Sequence, residues 1–315
     1  MEPASLEGHS AERAAALPPI GRLVEVGGTR LFYHLAGSGG PVVVIIPGAG
    51  AIGLDYLNIF ERSATRTASV LYDRAGTGWS GPATLPRTAP EVVAELHALL
   101  HTLGVAPPYL LVGHSLGGAF ARHYAQHFPH EVHALLLLDP AHEELTSHYP
   151  PEVRELFAQF DGQPIPDFPP EVLALWRSVF ADKFQRWPIS VREAVIEKHA
   201  AAWRNGFLEG QGLEERIFDP LRRGGTLPDI PCTVLTAMGI DTSPAQSLPE
   251  ELQRAVNEAK QSVNRLLAAS VPQGEERTLD RATHPWMHIE SEGAVIEALD
   301  ELLGRVARQR LRARA

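Results

Sequence analysis

The hydrophobic positions of this chain fall into short, closely spaced blocks whose period changes along the sequence. Val42–Ile46 is an uninterrupted β-branched run, the pattern of a strand buried on both faces. Ser69–Tyr72 and the stretches 109–112 and 134–138 are further apolar runs of strand length. Between them the period lengthens. Within 90–103, Val92, Val93, Leu96, Leu99, Leu100 and Leu103 recur at helical spacing. Upstream, Arg22–Val26 and 31–35 flank Gly27-Gly28-Thr29 and read as a hairpin. Strands alternating with helices in this way predict an α/β fold, a mostly parallel central sheet with helices on both faces.

That rhythm stops near residue 143 and resumes near 229. The interval 143–228 carries helical patterns and Pro-rich joints but no buried-strand run. It holds seven of the eleven phenylalanines together with Trp176, Trp187 and Trp203. It reads as a helical subdomain with its own small core, whose inner face forms an apolar lid over a site. The sheet resumes at Cys232–Ala237. Then 249–269 predicts a long helix, 277–279 a short last strand and 293–303 a terminal helix. The expected organisation is a core of 20–142 and 229–315 with an inserted helical cap, 143–228. Residues 1–19, rich in Ala, Glu and Pro, read as a disordered segment.

Composition narrows the partners. The 315 residues are 44% hydrophobic and 21% charged, enough for a sizeable core. A net charge of −10 and a pI near 5.8 argue against nucleic acid as a partner. The apolar runs are strand-sized, so no membrane span is expected. Residues 1–19 contain no continuous apolar stretch of the secretory type, and the lone Cys232 cannot form an internal disulfide. A cytoplasmic location is the resulting expectation. The arginines from Arg305 to Arg314 read as solvated charges complementing a helix C-terminus.

The chemistry centres on Gly113-His114-Ser115-Leu116-Gly117, which follows an apolar strand and opens a helical stretch. A serine on a sharp strand-to-helix turn needs small residues two positions either side. Such a turn lifts the Ser115 hydroxyl clear of the sheet and lets the Leu116 amide face a developing oxyanion. A hydroxyl is a weak nucleophile at neutral pH. It requires a base, usually histidine, oriented by a carboxylate.

With the markers Pro47-Gly48-Ala49-Gly50, Asp73-Arg74-Ala75-Gly76-Thr77-Gly78-Trp79-Ser80, the serine turn through Gly118, and Thr283-His284-Pro285-Trp286-Met287-His288-Ile289-Glu290, the chain resembles the α/β-hydrolase superfamily, in its capped branch of small serine esterases and lactonases. The markers run in the expected order from about residue 22 to 303. The resemblance implies that the Ala49 amide is the second oxyanion donor. Where the family usually has His-Gly, this chain has Pro47-Gly48, which removes a side chain that could hold the loop. Asp73 and Arg74 are implied to hold loops together. For the acid, the resemblance favours Asp241, after the strand containing Cys232, with Asp139 at the end of 134–138 as the alternative. For the base it favours His284, with His288 as the alternative.

These residues imply a serine hydrolase, acting through an acyl-enzyme on an ester or lactone of a small, largely apolar molecule. No organic cofactor or metal is expected, for no zinc-type His/Cys spacing and no phosphate or dinucleotide fingerprint stands out. A ligand-sensing protein of the same fold with slow or no turnover is the reading from another class. Acyl transfer to peroxide or an alcohol is a third, narrower outcome.

Overall fold

The computed structural model describes residues 17–159, 163–165, 167–242 and 248–314. Most of the segment expected to be disordered (1–16 of 1–19) lies outside them. Eight strands form one sheet in the order β1-β2-β4-β3-β5-β6-β7-β8. β1 (Arg22–Val26) and β2 (Thr29–Ala36) make the antiparallel hairpin, and β2 pairs antiparallel with β4 (Ser69–Tyr72). β3 (Val42–Ile46), β4, β5 (Tyr109–His114), β6 (Val132–Leu138), β7 (Cys232–Ala237) and β8 (Gly274–Leu279) run parallel.

The continuous apolar strands follow from burial on both faces. Along β3, Val42, Val44 and Ile46 enter one core cluster while Val43 and Ile45 enter the other, as alternation requires. On the first face pack α2 (Ala89–Thr102), with Val92, Val93, Leu96, Leu99 and Leu100, and α3 (Leu116–His127). On the second face pack α1 (Leu57–Ala64) and the C-terminal helix Glu292–Arg314. The start of α2 is fixed by a capping box. The Thr88 amide donates to Glu91 Oε2 at 2.8 Å, while the Thr88 hydroxyl accepts from the Glu91 amide at 3.4 Å.

The stretch between β6 and β7 contains no strand among the described residues. Its principal helices are α4 (Pro151–Ala158), α5 (Pro170–Lys183), α6 (Ile189–Ala201) and α7 (Trp203–Glu209). The long helix expected after β7 is α8 (Glu250–Ala269), and the terminal helix is α9, the Glu292–Arg314 element. β8 is longer than expected. Its Glu and Arg residues mask it as a strand in sequence, because no fully buried position occurs along it. No helix among the described residues is long and apolar enough to cross a membrane.

Sheet order decides where a site can form. β3 is followed in space by β4 on one side and β5 on the other, so the chain leaves their C-terminal ends in opposite directions. A crevice opens at that switch point. The loop Pro47–Gly50 leaves β3 there and Ser115 leaves β5 there.

Candidate active site

Ser115 sits at φ 52° and ψ −120°, in the region of the backbone map that non-glycine residues rarely enter. The turn is possible because its flanks carry no side chains. A Cβ on Gly113 would lie 2.5 Å from the Gly117 carbonyl oxygen, and one on Gly117 would lie 2.1 Å from that of Ile46. The Ser115 amide donates to Leu138 O at 3.0 Å and its carbonyl accepts from Ala141 at 2.8 Å, tying the turn to β6 and the loop beyond.

His284, in the single turn His284–Trp286, brings Nε2 to 3.0 Å from Ser115 Oγ and Nδ1 to 2.6 Å from Asp139 Oδ2. The ionised carboxylate can only accept, so Nδ1 carries the proton and Nε2 is free to accept from the hydroxyl. This is the geometry in which a serine can pass its proton to imidazole as it attacks a carbonyl. The structure therefore pairs His284 with Asp139, whereas the sequence favoured Asp241. The physical reason is strand placement. Asp139 ends β6, the immediate neighbour of the serine strand β5, while Asp241 follows β7, one strand further out. The Asp241 backbone engages the Gln253 side chain of α8 through its amide, at 2.8 Å, and its carbonyl, at 3.1 Å.

Asp139 is held in a left-handed conformation, φ 43°, and is wholly buried. Burial alone would raise its pKa. Lys260 Nζ at 2.6 Å and the His284 ring outweigh this and hold the carboxyl well below the usual carboxylate range. Asn264 Nδ2 adds a longer bond to Oδ1 at 3.3 Å. Lys260 and Asn264 both come from α8. The sequence pointed to neither, since two polar residues within an amphipathic helix look like its solvent face.

His288, the alternative base, is buried against Tyr56 with ring centroids 4.4 Å apart, and burial pushes its pKa down to about 4. The structure brings His284, not His288, to Ser115. His114 also stays neutral, its pKa lowered by burial and then by the neighbouring His284 and His288. Its Nε2 faces the His284 carbonyl at 2.8 Å and its Nδ1 faces Tyr56 Oη at 2.6 Å. The carbonyl needs a donor, so Nε2 carries the proton and Nδ1 accepts from the phenol. Tyr56 Oη in turn accepts the Gly48 amide at 3.2 Å.

The loop after β3 thus has several external anchors in place of a histidine side chain. The buried Arg74 guanidinium donates to Pro47 O at 2.7 Å, Gly48 O at 2.8 Å and Glu209 Oε1 and Oε2 at 2.9 Å each. Glu209, at the end of α7, also accepts the Gly50 amide at 2.8 Å. Gly50 and Gly206 pack backbone against backbone. A Cβ on Gly50 would lie 2.7 Å from Gly206 Cα. Among the described residues, the amides of Ala49 and Leu116 make no hydrogen bond, and Ala49 lines the same cavity as Ser115. Asp73 accepts from the amides of Gly53, at 2.6 Å, and Trp79, at 2.8 Å, so it secures loops away from the hydroxyl.

Ser115 and His284 open into a cavity of ≈ 350 Å³. One wall is aromatic: Trp176, Phe180, Trp203, Phe207 and Trp286. The lining also includes a polar pair, Asp55 with His199 Nε2 at 2.8 Å from Oδ1, and the His199 ring stacks on Phe180 with centroids 4.3 Å apart. Phe184 and Trp187 instead sink into the core below the cavity.

A sequence model of the alpha/beta hydrolase fold matches residues 41–213, just over half of the chain. The chain is 36% identical over 108 residues to the uncharacterized protein YqjL of Bacillus subtilis, a match covering 34% of this chain and 43% of that one. It is 36% identical over 118 residues to the (lyso)-N-acylphosphatidylethanolamine lipase of Mus musculus, covering 36% and 34%. The matches span less than half the length of these curated relatives. Among solved structures, a bacterial membrane phospholipase A superposes with a TM-score of 0.65 at 19% identity, covering 96% of this chain and 90% of that one. The enol-lactonase of Burkholderia xenovorans LB400 gives 0.60 at 20% identity, covering 90% and 100%. At these identities the likeness is one of fold.

Proposed function

Since the chain belongs to the alpha/beta hydrolase fold family, we propose that it is a serine hydrolase of carboxylic esters or lactones, acting through an acyl-enzyme. The observation that carries this reading is the unbroken relay of Ser115, His284 and Asp139 at the mouth of a cavity. In this reading Ser115 attacks the carbonyl, His284 takes its proton and later returns it to the leaving group, and Asp139 keeps Nδ1 protonated. The Ala49 and Leu116 amides receive the oxyanion. Water, activated by the same imidazole, then releases the acid.

The insertion between β6 and β7 serves as the cap. It supplies Trp176, Phe180, His199, Trp203 and Phe207 to the cavity wall. The substrate is a small molecule with an apolar body against the aromatic wall and a hydrogen-bonding group that meets Asp55 and His199. The names of the similar proteins, a lipase, a phospholipase and a lactonase, are consistent with acyl chemistry.

The test is labelling by a small fluorophosphonate, followed by intact mass and mapping of the modified residue. Stoichiometric labelling at Ser115 that is lost on heating and absent in Ser115→Ala, with turnover on an ester and lactone panel, is the expected result. Folded protein that stays unlabelled, or that is labelled elsewhere, overturns the assignment.

A further inference from the structure

At the opposite end of the sheet from Ser115, three donor atoms converge. His97 and His101 lie four residues apart on α2, and so share one helical face. Glu131 immediately precedes β6 and comes to meet them. His97 Nε2 is 3.1 Å from His101 Nε2 and 3.2 Å from Glu131 Oε1, and His101 Nε2 is 3.8 Å from that same oxygen. We propose that His97, His101 and Glu131 bind a divalent cation of the borderline class, with zinc the best match.

Geometry carries the proposal. Ligand atoms about 2.0–2.1 Å from a tetrahedral zinc stand roughly 3.4 Å apart, and the three measured edges bracket that value. Protons satisfy the cluster poorly. A single proton on His97 Nε2 must serve both short edges, and protons on both facing nitrogens would set two N–H groups against each other. A cation accepts all three lone pairs at once. Two imidazoles and one carboxylate suit zinc in preference to magnesium or calcium, which take oxygen ligands.

The donors are also held ready. The Tyr124 hydroxyl donates to Glu131 Oε2 at 2.6 Å, leaving Oε1 turned to the histidines. Oriented ligands of this kind are the usual support of a metal site. The His97 ring stacks flat on Phe128, with centroids 4.0 Å apart and planes 8° from parallel. The Glu131 carbonyl accepts from Tyr109 N at 2.7 Å, fixing the residue against the start of β5. Among the described residues, this is the one group of three or more His, Cys, Asp or Glu whose ligand atoms lie close enough to share an ion. A cation there would tie α2 to the turn before β6. Three protein ligands leave the fourth position to water. Its place at the N-terminal ends of the strands makes it a structural tie, separate from the hydroxyl chemistry.

The test is equilibrium dialysis of chelator-treated, tag-free full-length protein against zinc, with metal content, melting temperature and histidine ring proton signals recorded. The expected result is about one zinc per chain, with ring shifts confined to His97 and His101. The melting temperature should rise with zinc, and that rise should disappear in His101→Gln and Glu131→Gln. Fluorophosphonate labelling of Ser115 should proceed at the same rate with and without zinc. Protein that retains no zinc, or ring shifts at other histidines, overturns the site. So does undiminished binding in His97→Gln/His101→Gln. The ring signals of the unmutated protein keep the proposal testable even where a variant fails to fold.

Discussion

At the scale of single residues, the site depends on which carboxylate meets His284. Asp139 is buried and ionised because Lys260 and the His284 N–H both face it, 2.6 Å away. Lys260 offsets the cost of burying the charge but also shares the carboxylate with the imidazole. Asp139 thus orients His284 more than it pulls on its proton. Replacing Asp139 with Asn leaves Nδ1 facing an amide that can present a donor, which selects the wrong tautomer. A loss on the order of 10⁴ in kcat is expected, whereas Asp241→Asn should stay within a few-fold of the parent. Rates should be compared where circular dichroism shows both variants folded, because Asp139→Asn also strips Lys260 of its partner. A larger loss from Asp241→Asn would reverse the assignment. The signal in favour of Asp139 was present in the sequence, as an aspartate ending the strand after the serine turn. Sequence distance could not rank it above Asp241, because the partner that settles it, His284, is 145 residues away.

At the scale of elements, the loop after β3 is shaped by pieces it does not contain. Arg74 follows β4, Tyr56 precedes α1 and Glu209 ends α7, and together they hold Pro47, Gly48 and Gly50. The Arg74–Glu209 pair is almost wholly buried, with side chains 1% and 6% exposed. Removing one member of such a pair costs about 3–5 kcal/mol, since the other is left charged and unpaired. Glu209→Gln should therefore lower the melting temperature. It should also reduce kcat more than it changes KM, by up to about 10², because the loop that presents the Ala49 amide loses its hold. Steady-state kinetics beside a thermal melt will separate the effects. A lower melting temperature with unchanged kcat would make Glu209 a fold-stabilising residue with no part in placing the loop. Sequence reasoning missed Glu209 because a glutamate at a helix end is ordinary. Only its contacts, 135 residues away at Arg74 and 159 at Gly50, distinguish it.

At the scale of the whole molecule, four of the described histidines are folded away from water. His123, His142 and His288 are buried, and desolvation pushes each down to about 4; His114 also lies well below its ordinary value. For groups depressed on folding, the stability contribution is complete above the unfolded value of 6.5. It is lost as pH falls toward about 4, because the unfolded chain takes up protons that the folded one refuses. Asp73 acts in the opposite sense. Burial raises its pKa to about 7, so its contribution is greatest at low pH and fades as pH rises to neutrality. Several histidines oppose one carboxyl, so urea stability should decline as pH is lowered from about 6.5 to 4. A flat or rising profile across that window would show that these rings titrate freely in the folded protein.

Family resemblance marked the loops at Pro47 and Asp73, while local pattern was enough to read the α/β class, the order of the elements and the serine turn. Those features rest on strand and helix periodicity and on glycines whose missing side chains leave a local trace. The length of β8 escaped the same reading, because a half-buried strand of Glu and Arg has no apolar run. Tertiary structure alone decided what depends on convergence. It joined Asp139 to His284, put Lys260 behind them, drew Glu209 to Arg74 and set His97 and His101 against Glu131. Each of these groups joins charged or polar residues across at least two elements. Such residues look solvent-exposed in sequence, and only the folded sheet and its helices reveal which of them meet.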